Sequence, residues 1–341
     1  MKRNYIYQII LLLLLTTWSG CSLNKDPLDG YSDVTEGVNE AGQKVAFKDK
    51  AAVQSHLQTL YNQLRDRQEH WYLDVLLIGD AHADNAYAGT TGAEVMPFEN
   101  NSIEGSNSVM SRDWNRYLED VARANLLIVN IDSVQDQSLT TAERKQYKAE
   151  AKIFRSMVFY DMVRLWGDIP LVTTIACDIT AETIEDVYTD YFPTQSTEEE
   201  VYKQLETDLL SALPDAPANS NSNKTLFSKS VARTLLAKIY ADKPLRDYNK
   251  VVQYVDELAA DGFALEADFT NLFGMNADNT DAKMRNTKES ILEAQFFAGN
   301  GSWVTWMFGR DLANYNSNFT WAKWVTPSRD LIKAYESAGD K

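Results

Sequence analysis

The residues with the clearest chemical potential lie between positions 296 and 324. Phe296, Phe297, Trp303, Trp306, Phe308, Tyr315, Phe319, Trp321 and Trp324 put nine aromatic rings into 29 residues, against 11% aromatic content for the whole chain. Half of the 8 tryptophans fall there. The rings are interleaved with Asn300, Arg310, Asp311, Asn314, Asn316, Ser317 and Asn318, and with leucine or valine only at Val304 and Leu312. A sugar needs this mixture, because its C–H face lies on a flat ring while its hydroxyls pair with amides and carboxylates. Core packing explains Phe296, Phe308 and Phe319 simply. For Trp303, Trp306, Tyr315, Trp321 and Trp324, ligand stacking and packing stand side by side.

Other chemistries find less support. Asp80, His82 and Asp84 alternate beside Asn85, but no second cluster completes a metal site, and a solvated polar loop is the simpler reading. Asn276, Asp278, Asn279 and Asp281 fit no EF-hand spacing. Glycoside hydrolysis needs two opposed carboxylates, and among 49 acidic residues a candidate pair such as Glu289 and Glu293 carries no information. The chain shows no nucleophile elbow, no phosphate-binding glycine loop and no histidine partner for Cys177. No catalytic centre, metal or cofactor is implied.

The elements that must position such a site are mostly amphipathic helices. Val53, Leu57, Leu60, Tyr61 and Leu64 form one apolar stripe, and Trp114, Leu118, Val121, Asn125 and Ile128 a second. Thr140 and Glu143 make a capping box for a third helix, whose stripe runs through Tyr147, Ala151, Phe154, Val158, Met162 and Leu165. Gly167 and Pro170 end it. Thr197 and Glu200 cap a fourth helix bearing Val201, Leu205 and Leu209, ahead of Pro214. Ala232, Leu236, Ile239 and Tyr240 mark a fifth, and Val251, Val255 and Leu258 a sixth, joined by a turn around Pro244 as in an αα-hairpin. Helix pairs of this kind suggest tetratricopeptide-like stacking, although the period is not a clean repeat.

Two regions break that pattern. Gly79 to Val109 has four glycines and no sustained periodicity, and a loop that long is usually functional. Ala218 to Lys224 is a polar surface linker. From Glu289 the period turns to two, with Leu292, Ala294 and Phe296 alternating with Glu293 and Gln295, which predicts a short strand.

Composition narrows the partners. The 341 residues are 44% hydrophobic and 24% charged, which is globular. A net charge of −16 offers no field for a phosphate backbone, so nucleic acid is excluded as a partner. Lys2 and Arg3 precede the apolar run Ile9 to Leu15, which is shorter than the roughly 20 residues of a spanning helix and matches a signal-peptide core. Ser19 and Gly20 before Cys21 resemble a bacterial lipobox, with Trp18 where leucine is usual. The alternative is an ordinary secretory signal with an incidental cysteine.

Four stretches together resemble the SusD/RagB family of outer-membrane nutrient-binding lipoproteins. Cys21-Ser-Leu-Asn-Lys-Asp-Pro-Leu-Asp29 is similar to the start of the mature lipoproteins. Glu150-Ala-Lys-Ile-Phe-Arg-Ser-Met-Val-Phe-Tyr-Asp-Met-Val-Arg-Leu-Trp-Gly-Asp-Ile-Pro-Leu-Val172 resembles the family's most specific segment. Ser230 to Tyr240 is similar to its alanine-rich repeat helix, and Phe269 to Phe273, Glu289 to Gln295 and Thr326 to Asp340 follow its later order. Within the specific segment, Arg155 and Arg164 are expected to pair with Asp161 and Asp168 at helical spacing.

The resemblance implies a mainly α fold, a SusD-like α-α superhelix of tetratricopeptide-like repeats with an irregular, loop-rich ligand-binding half. The expected layout is a signal peptide over 1–20, an extended tether over 21–45 and a helical domain over 46–341, with loop insertions at 79–109 and 262–326. Family chains continue past the segment matched by residues 326 to 340, so the C-terminal part of the fold is expected to be missing here. It further implies a surface-exposed, lipid-anchored glycan- or oligosaccharide-binding protein of the outer membrane that serves a SusC-like TonB-dependent transporter. A surface glycoside hydrolase and a capture lipoprotein for peptides or other nutrients are the alternatives. The family places its ligand in two regions of the chain. Chosen on chemistry, the expected contacts are Trp303, Trp306, Tyr315 and Trp321 from one side, with Tyr87, Phe98 and Asn101 from the other.

If Cys21 carries the lipid, Cys21→Ala releases the protein from the outer-membrane fraction, because anchoring comes from buried acyl CH₂ groups at about 0.8 kcal/mol each. Unchanged membrane partitioning of that variant overturns the anchor.

Overall fold

A computed structural model describes residues 37–38, 44–88, 94–176, 188–219, 222–278, 281–296 and 325–339. The chain divides into two compact units, Met1–Lys48 and Asp49–Lys341. In the first, β1 (Gly37–Val38) and β2 (Lys44–Val45) pair antiparallel with Gly37 opposite Val45. The stretch expected as an extended tether therefore carries a hairpin.

The second unit is a succession of helices, each packed on its neighbours in sequence. The Asp49 carboxylate accepts from the Ala52 amide at 2.8 Å and starts α1 (Lys50–Asp66), which buries Val53, Leu57 and Leu60. Asn107 caps α2 (Ser108–Asn130) by accepting from the amides of Val109 and Met110. The expected stripe on α2 is displaced. Trp114, Leu118 and Ile128 are half-buried, and the innermost row includes Asp113, Tyr117, Asp120, Ala124, Asn125 and Leu127. That row takes polar residues inside because α2 lies between α1, the chain after α1 and the third helix, where partners await them.

The central element is α3 (Thr141–Trp166), which touches α1, α2, α4 (Glu198–Ala212) and α5 (Lys229–Ala241). Its capping box forms as expected, and Gly167 ends it at φ +73°, where a side chain would be strained. Ala151, Phe154, Val158 and Met162 are fully buried, but so are Ile153, Ser156 and Phe159. Burial all round, not one stripe, is what a central helix requires. The second capping box, Thr197 with Glu200, also forms. Across the chain between α3 and α4, β4 (Ile169–Pro170) pairs with β5 (Gln195–Ser196).

α5 and α6 (Tyr248–Ala260) form the expected hairpin. On α6 the inward residues are Tyr254 and Leu258, while Val255 is half exposed at 50%. Tyr254 stacks parallel on Tyr240 at 6.0 Å, and that aromatic pairing sets the rotation of α6. The strand expected after Glu289 does not form. Ile291 to Phe296 are uniformly half-buried, so the alternation has no face to bury. One backbone bond, from Glu293 to the Lys224 carbonyl at 2.8 Å, replaces a ladder. Ser328 caps α7 (Arg329–Ala338), which has no buried residue. Among the described residues no helix is long and apolar enough to cross a membrane.

One buried ion pair ties the layers. Arg155 of α3 donates to both carboxylate oxygens of Asp208 on α4, at 2.9 and 2.8 Å. Its remaining nitrogen donates to Asn125 Oδ1 on α2 at 2.6 Å and to the Thr173 carbonyl at 3.2 Å. Asn125 in turn donates to the carbonyls of Val172 and Thr174. The expected helical pairing of Arg155 with Asp161 or Asp168 is thus replaced by a partner on another helix. Asp168 instead accepts from the Glu198 amide at 3.1 Å, and Arg164 lies over the Tyr160 ring.

Arg155→Ala leaves Asp208 buried without its cation, so stability is expected to fall by about 3–5 kcal/mol. Arg155→Met combined with Asp208→Leu is expected to recover much of that loss in urea unfolding. A loss below about 1 kcal/mol for Arg155→Ala counts against the pair as the tie.

Candidate functional site

The chain does not leave the helical path at Gly79. After α1 it continues as two π-helical stretches, Glu69–Asp74 and Leu77–Ala81, with i→i+5 bonds such as His82 N to the Leu77 carbonyl at 3.2 Å. Such wide turns are rare and concentrate at functional places. The region expected as a loop over 79–109 then builds its own small core. Leu73, Leu77, Ala81, Ala88, Val95, Phe98 and Val109 are buried together, with Ile103, Met110 and Val325 packed against them. The period-3.6 reading missed it because its apolar residues lie on π-helical turns, a single short helical turn, coil and the start of α2, and are brought together only by the fold.

This core and the π-helical stretch beside it hold the chain on either side of the aromatic-rich segment. At the near end, the Phe296 ring meets Tyr72 of the first π stretch edge-on at 6.3 Å, and Arg285 donates to the Phe296 carbonyl at 2.5 Å. The Tyr72 hydroxyl donates to the Leu64 carbonyl at 2.9 Å, which fixes the ring. At the far end, β6 (Thr326–Pro327) pairs with β3 (Ala86–Tyr87), Tyr87 opposite Thr326. Ser328 N also donates to the Asn85 carbonyl at 2.8 Å. Val325 sits between them at φ +53°, a costly conformation for a β-branched residue, retained because its side chain packs on the core. Residues 296 and 325 are therefore both seated on the stretch from Leu64 to Val109.

The expected contacts distribute unevenly. Tyr87 is 42% exposed on β3, and Asn101 is exposed on a turn at φ +53°, a conformation asparagine tolerates. Phe98 is a correction. Its ring is fully buried in the small core, so it offers no face to a ligand and acts as the core's filler. Trp303, Trp306, Tyr315 and Trp321, with Trp324 and Cys21, lie outside the described residues. Tyr72, which no sequence pattern singled out, is the ring that meets Phe296.

A buried polar band joins this region to α2. His70 Nδ1 lies 2.9 Å from Asp113 Oδ1, and the imidazole edge packs on Tyr117. Arg112 donates to Asp74 at 2.5 Å, Arg116 to Glu69 at 3.2 Å, and Arg67 to Glu119 and to Asp120, the latter at 3.3 Å. Burial pulls His70 down to about 3, so its ring is neutral. Burial pushes Asp113 up to about 6, and Asp74 and Asp120 up to about 7. The band sacrifices hydration to fix the π stretches against the scaffold. Nothing in it resembles a nucleophile with its base.

Known proteins agree with this architecture. Residues 33–241 match the SusD-like family described as starch-binding and associating with the outer membrane. SusD-like protein P2 of Formosa agariphila is 28% identical over 282 residues, covering 79% of this chain and 50% of its own. A SusD-like protein of Bacteroides ovatus is 21% identical over 306 residues, covering 87% and 50%. The chain spans about half the length of the curated relatives it matches. Among solved structures, a surface glycan-binding protein A from Bacteroides thetaiotaomicron in complex with laminarihexaose aligns at TM-score 0.55 and 19% identity, over 72% of this chain and 49% of that one. A laminarin-binding SusD-like protein aligns at TM-score 0.55 and 20% identity, over 69% and 51%. These likenesses establish a mainly helical, tetratricopeptide-containing fold.

The shift of Asp120 has a measurable sign. Its folded value lies above the unfolded one, so its contribution to stability is complete below pH of about 4 and is lost as pH rises through about 7. Asp120→Asn has no such loss. Relative to the wild type, the variant is expected to gain of the order of 2 kcal/mol between about pH 5 and about pH 8 in urea unfolding. A pH-independent difference refutes the assignment.

Proposed function

Because the chain belongs to the SusD-like family of starch-binding proteins that associate with the outer membrane, we propose that it is a non-catalytic glycan-binding lipoprotein. It is anchored through Cys21, exposed at the surface, and delivers ligand to a SusC-like TonB-dependent transporter. The observation that supports this reading is that Phe296 packs on Tyr72 and Val325 on the small core, so that both residues meet the stretch from Leu64 to Val109. At the far junction Thr326 pairs with Tyr87, one of the expected contacts, and at the near one Phe296 meets Tyr72.

The chemistry follows from the residue types. Trp303, Trp306, Tyr315 and Trp321 supply rings on which pyranose faces stack, and each loses little conformational freedom on binding. Asn101 and the amides among the tryptophans supply donors and acceptors for hydroxyls. The names of relatives that bind laminarin or laminarihexaose support a glucan as first probe. Binding without hydrolysis suits a protein that hands its ligand on.

Isothermal titration with laminarihexaose tests the site. Loss of a stacking ring by Trp303→Ala, Trp306→Ala, Tyr315→Ala or Trp321→Ala is expected to cost about 2 kcal/mol in affinity with the fold retained. Phe98→Ala is expected to cost about 3–5 kcal/mol of stability instead, because the ring is core. Wild-type affinity in all four aromatic variants removes the aromatic segment from the site, and release of shorter sugars from laminarihexaose makes the protein an enzyme.

A further inference from the structure

The helical scaffold carries a cavity of its own. It measures about 270 Å³ and opens between α1, α3 and the chain just ahead of α5. This lies just under the roughly 300–1,000 Å³ typical of pockets for drug-sized ligands, so it suits one sugar ring and not an oligosaccharide. We propose that this cavity is a second carbohydrate site that takes a single neutral pyranose.

The lining has the mixture that a polyol requires. Gln54, Gln58 and Gln146 contribute amides, Tyr61 and Tyr147 contribute ring surface and hydroxyls, and Glu150 lies at the inner wall, 2% exposed. Leu57 and Leu226 add aliphatic surface for the C–H face. A hydroxyl is both donor and acceptor, and the amide and phenol groups offer both. Among the described residues no lysine or arginine lines the cavity, so a phosphorylated or acidic sugar finds no counter-charge there and meets a carboxylate.

The polar groups are already held in place. The Tyr61 hydroxyl donates to Glu150 and accepts from the Phe227 amide at 3.1 Å, while its ring stacks on Phe227 at 4.5 Å. The other Glu150 oxygen accepts from Gln146 Nε2 at 2.9 Å, which leaves the Gln146 side-chain carbonyl without a partner among the described residues. Gln54 donates to the Tyr147 hydroxyl at 3.0 Å, and the Tyr147 proton has no acceptor among the described residues. Gln58 Nε2 donates to Asn62 at 3.2 Å, leaving its carbonyl available in the same sense. The side-chain carbonyls of Gln54, Gln58 and Gln146 and the Tyr147 proton, three acceptors and one donor, thus remain among the described residues. A ligand entering such a wall pays little ordering entropy.

Ligand-observed NMR and calorimetry on the full chain test this with D-glucose, D-galactose, D-mannose and D-xylose. D-glucuronate and glucose 6-phosphate serve as charged controls. At least one neutral sugar is expected to bind saturably in about the millimolar range, the affinity open to so small a ligand. Tyr147→Phe and Gln58→Leu, both at the cavity rim, are each expected to weaken it about three- to tenfold, the value of one hydrogen bond. Circular dichroism melts confirm that both variants fold. Trp303→Ala is expected to leave monosaccharide binding unchanged, which separates this cavity from the site proposed for laminarihexaose. Four outcomes overturn the proposal: no saturable neutral sugar, equal binding of the charged sugars, wild-type affinity in both rim variants, or loss of binding in Trp303→Ala.

Discussion

The arrangement of helices depends on the Arg155 guanidinium being buried. A charge taken from water needs its full complement of partners, or the fold loses several kcal/mol. Asp208, Asn125 and the Thr173 carbonyl supply them from α4, α2 and the chain that follows α3. Each partner comes from a different segment, so the requirement to satisfy one side chain sets three helices and one connection in register. Apolar packing around Phe154, Val158 and Phe159 supplies most of the driving force, but it tolerates small slips. The bidentate Arg–carboxylate geometry does not.

A second buried polar band, less completely paired, lies where the scaffold meets the region beyond α1, and His70 Nε2, Asp74 Oδ1 and Asp120 Oδ2 have no hydrogen-bond partner among the described residues. His70, Asp74, Asp113 and Asp120 are completely or almost completely buried, and they face Arg67, Arg112 and Arg116. This band sits beside the two π-helical stretches, whose wide turns place Leu73, Leu77 and Ala81 into the small core. That core, in turn, seats Phe98, Val109 and Val325. Positioning therefore passes from a polar band to an apolar core to the junctions at residues 296 and 325. The exposed side chains Tyr87 and Asn101 stand on this support and contribute little to it.

Division of labour between the two halves follows. The helices spend their polar groups on one another, so they make a rigid frame. The short pairing of β3 with β6 sets where the chain rejoins that frame after residue 325.

Local signals in the sequence determined local structure. Both capping boxes, the glycine end of α3, and the helices over 50–66, 141–166, 198–212, 229–241 and 248–260 were legible, because caps and period depend on residues three or four apart. The segment from Glu150 to Val172 was legible as a family signature, although its central arginine was read with the wrong partner. Choice of partner was decided only by tertiary structure: Asp208 is 53 residues from Arg155, and Asp113 is 43 from His70. The burial of Phe98 and the rotation of α6 onto Tyr254 were settled the same way. The physical reason is shared. Hydrophobicity states that a side chain prefers to leave water, but which neighbours receive it depends on segments that meet only when the chain has folded.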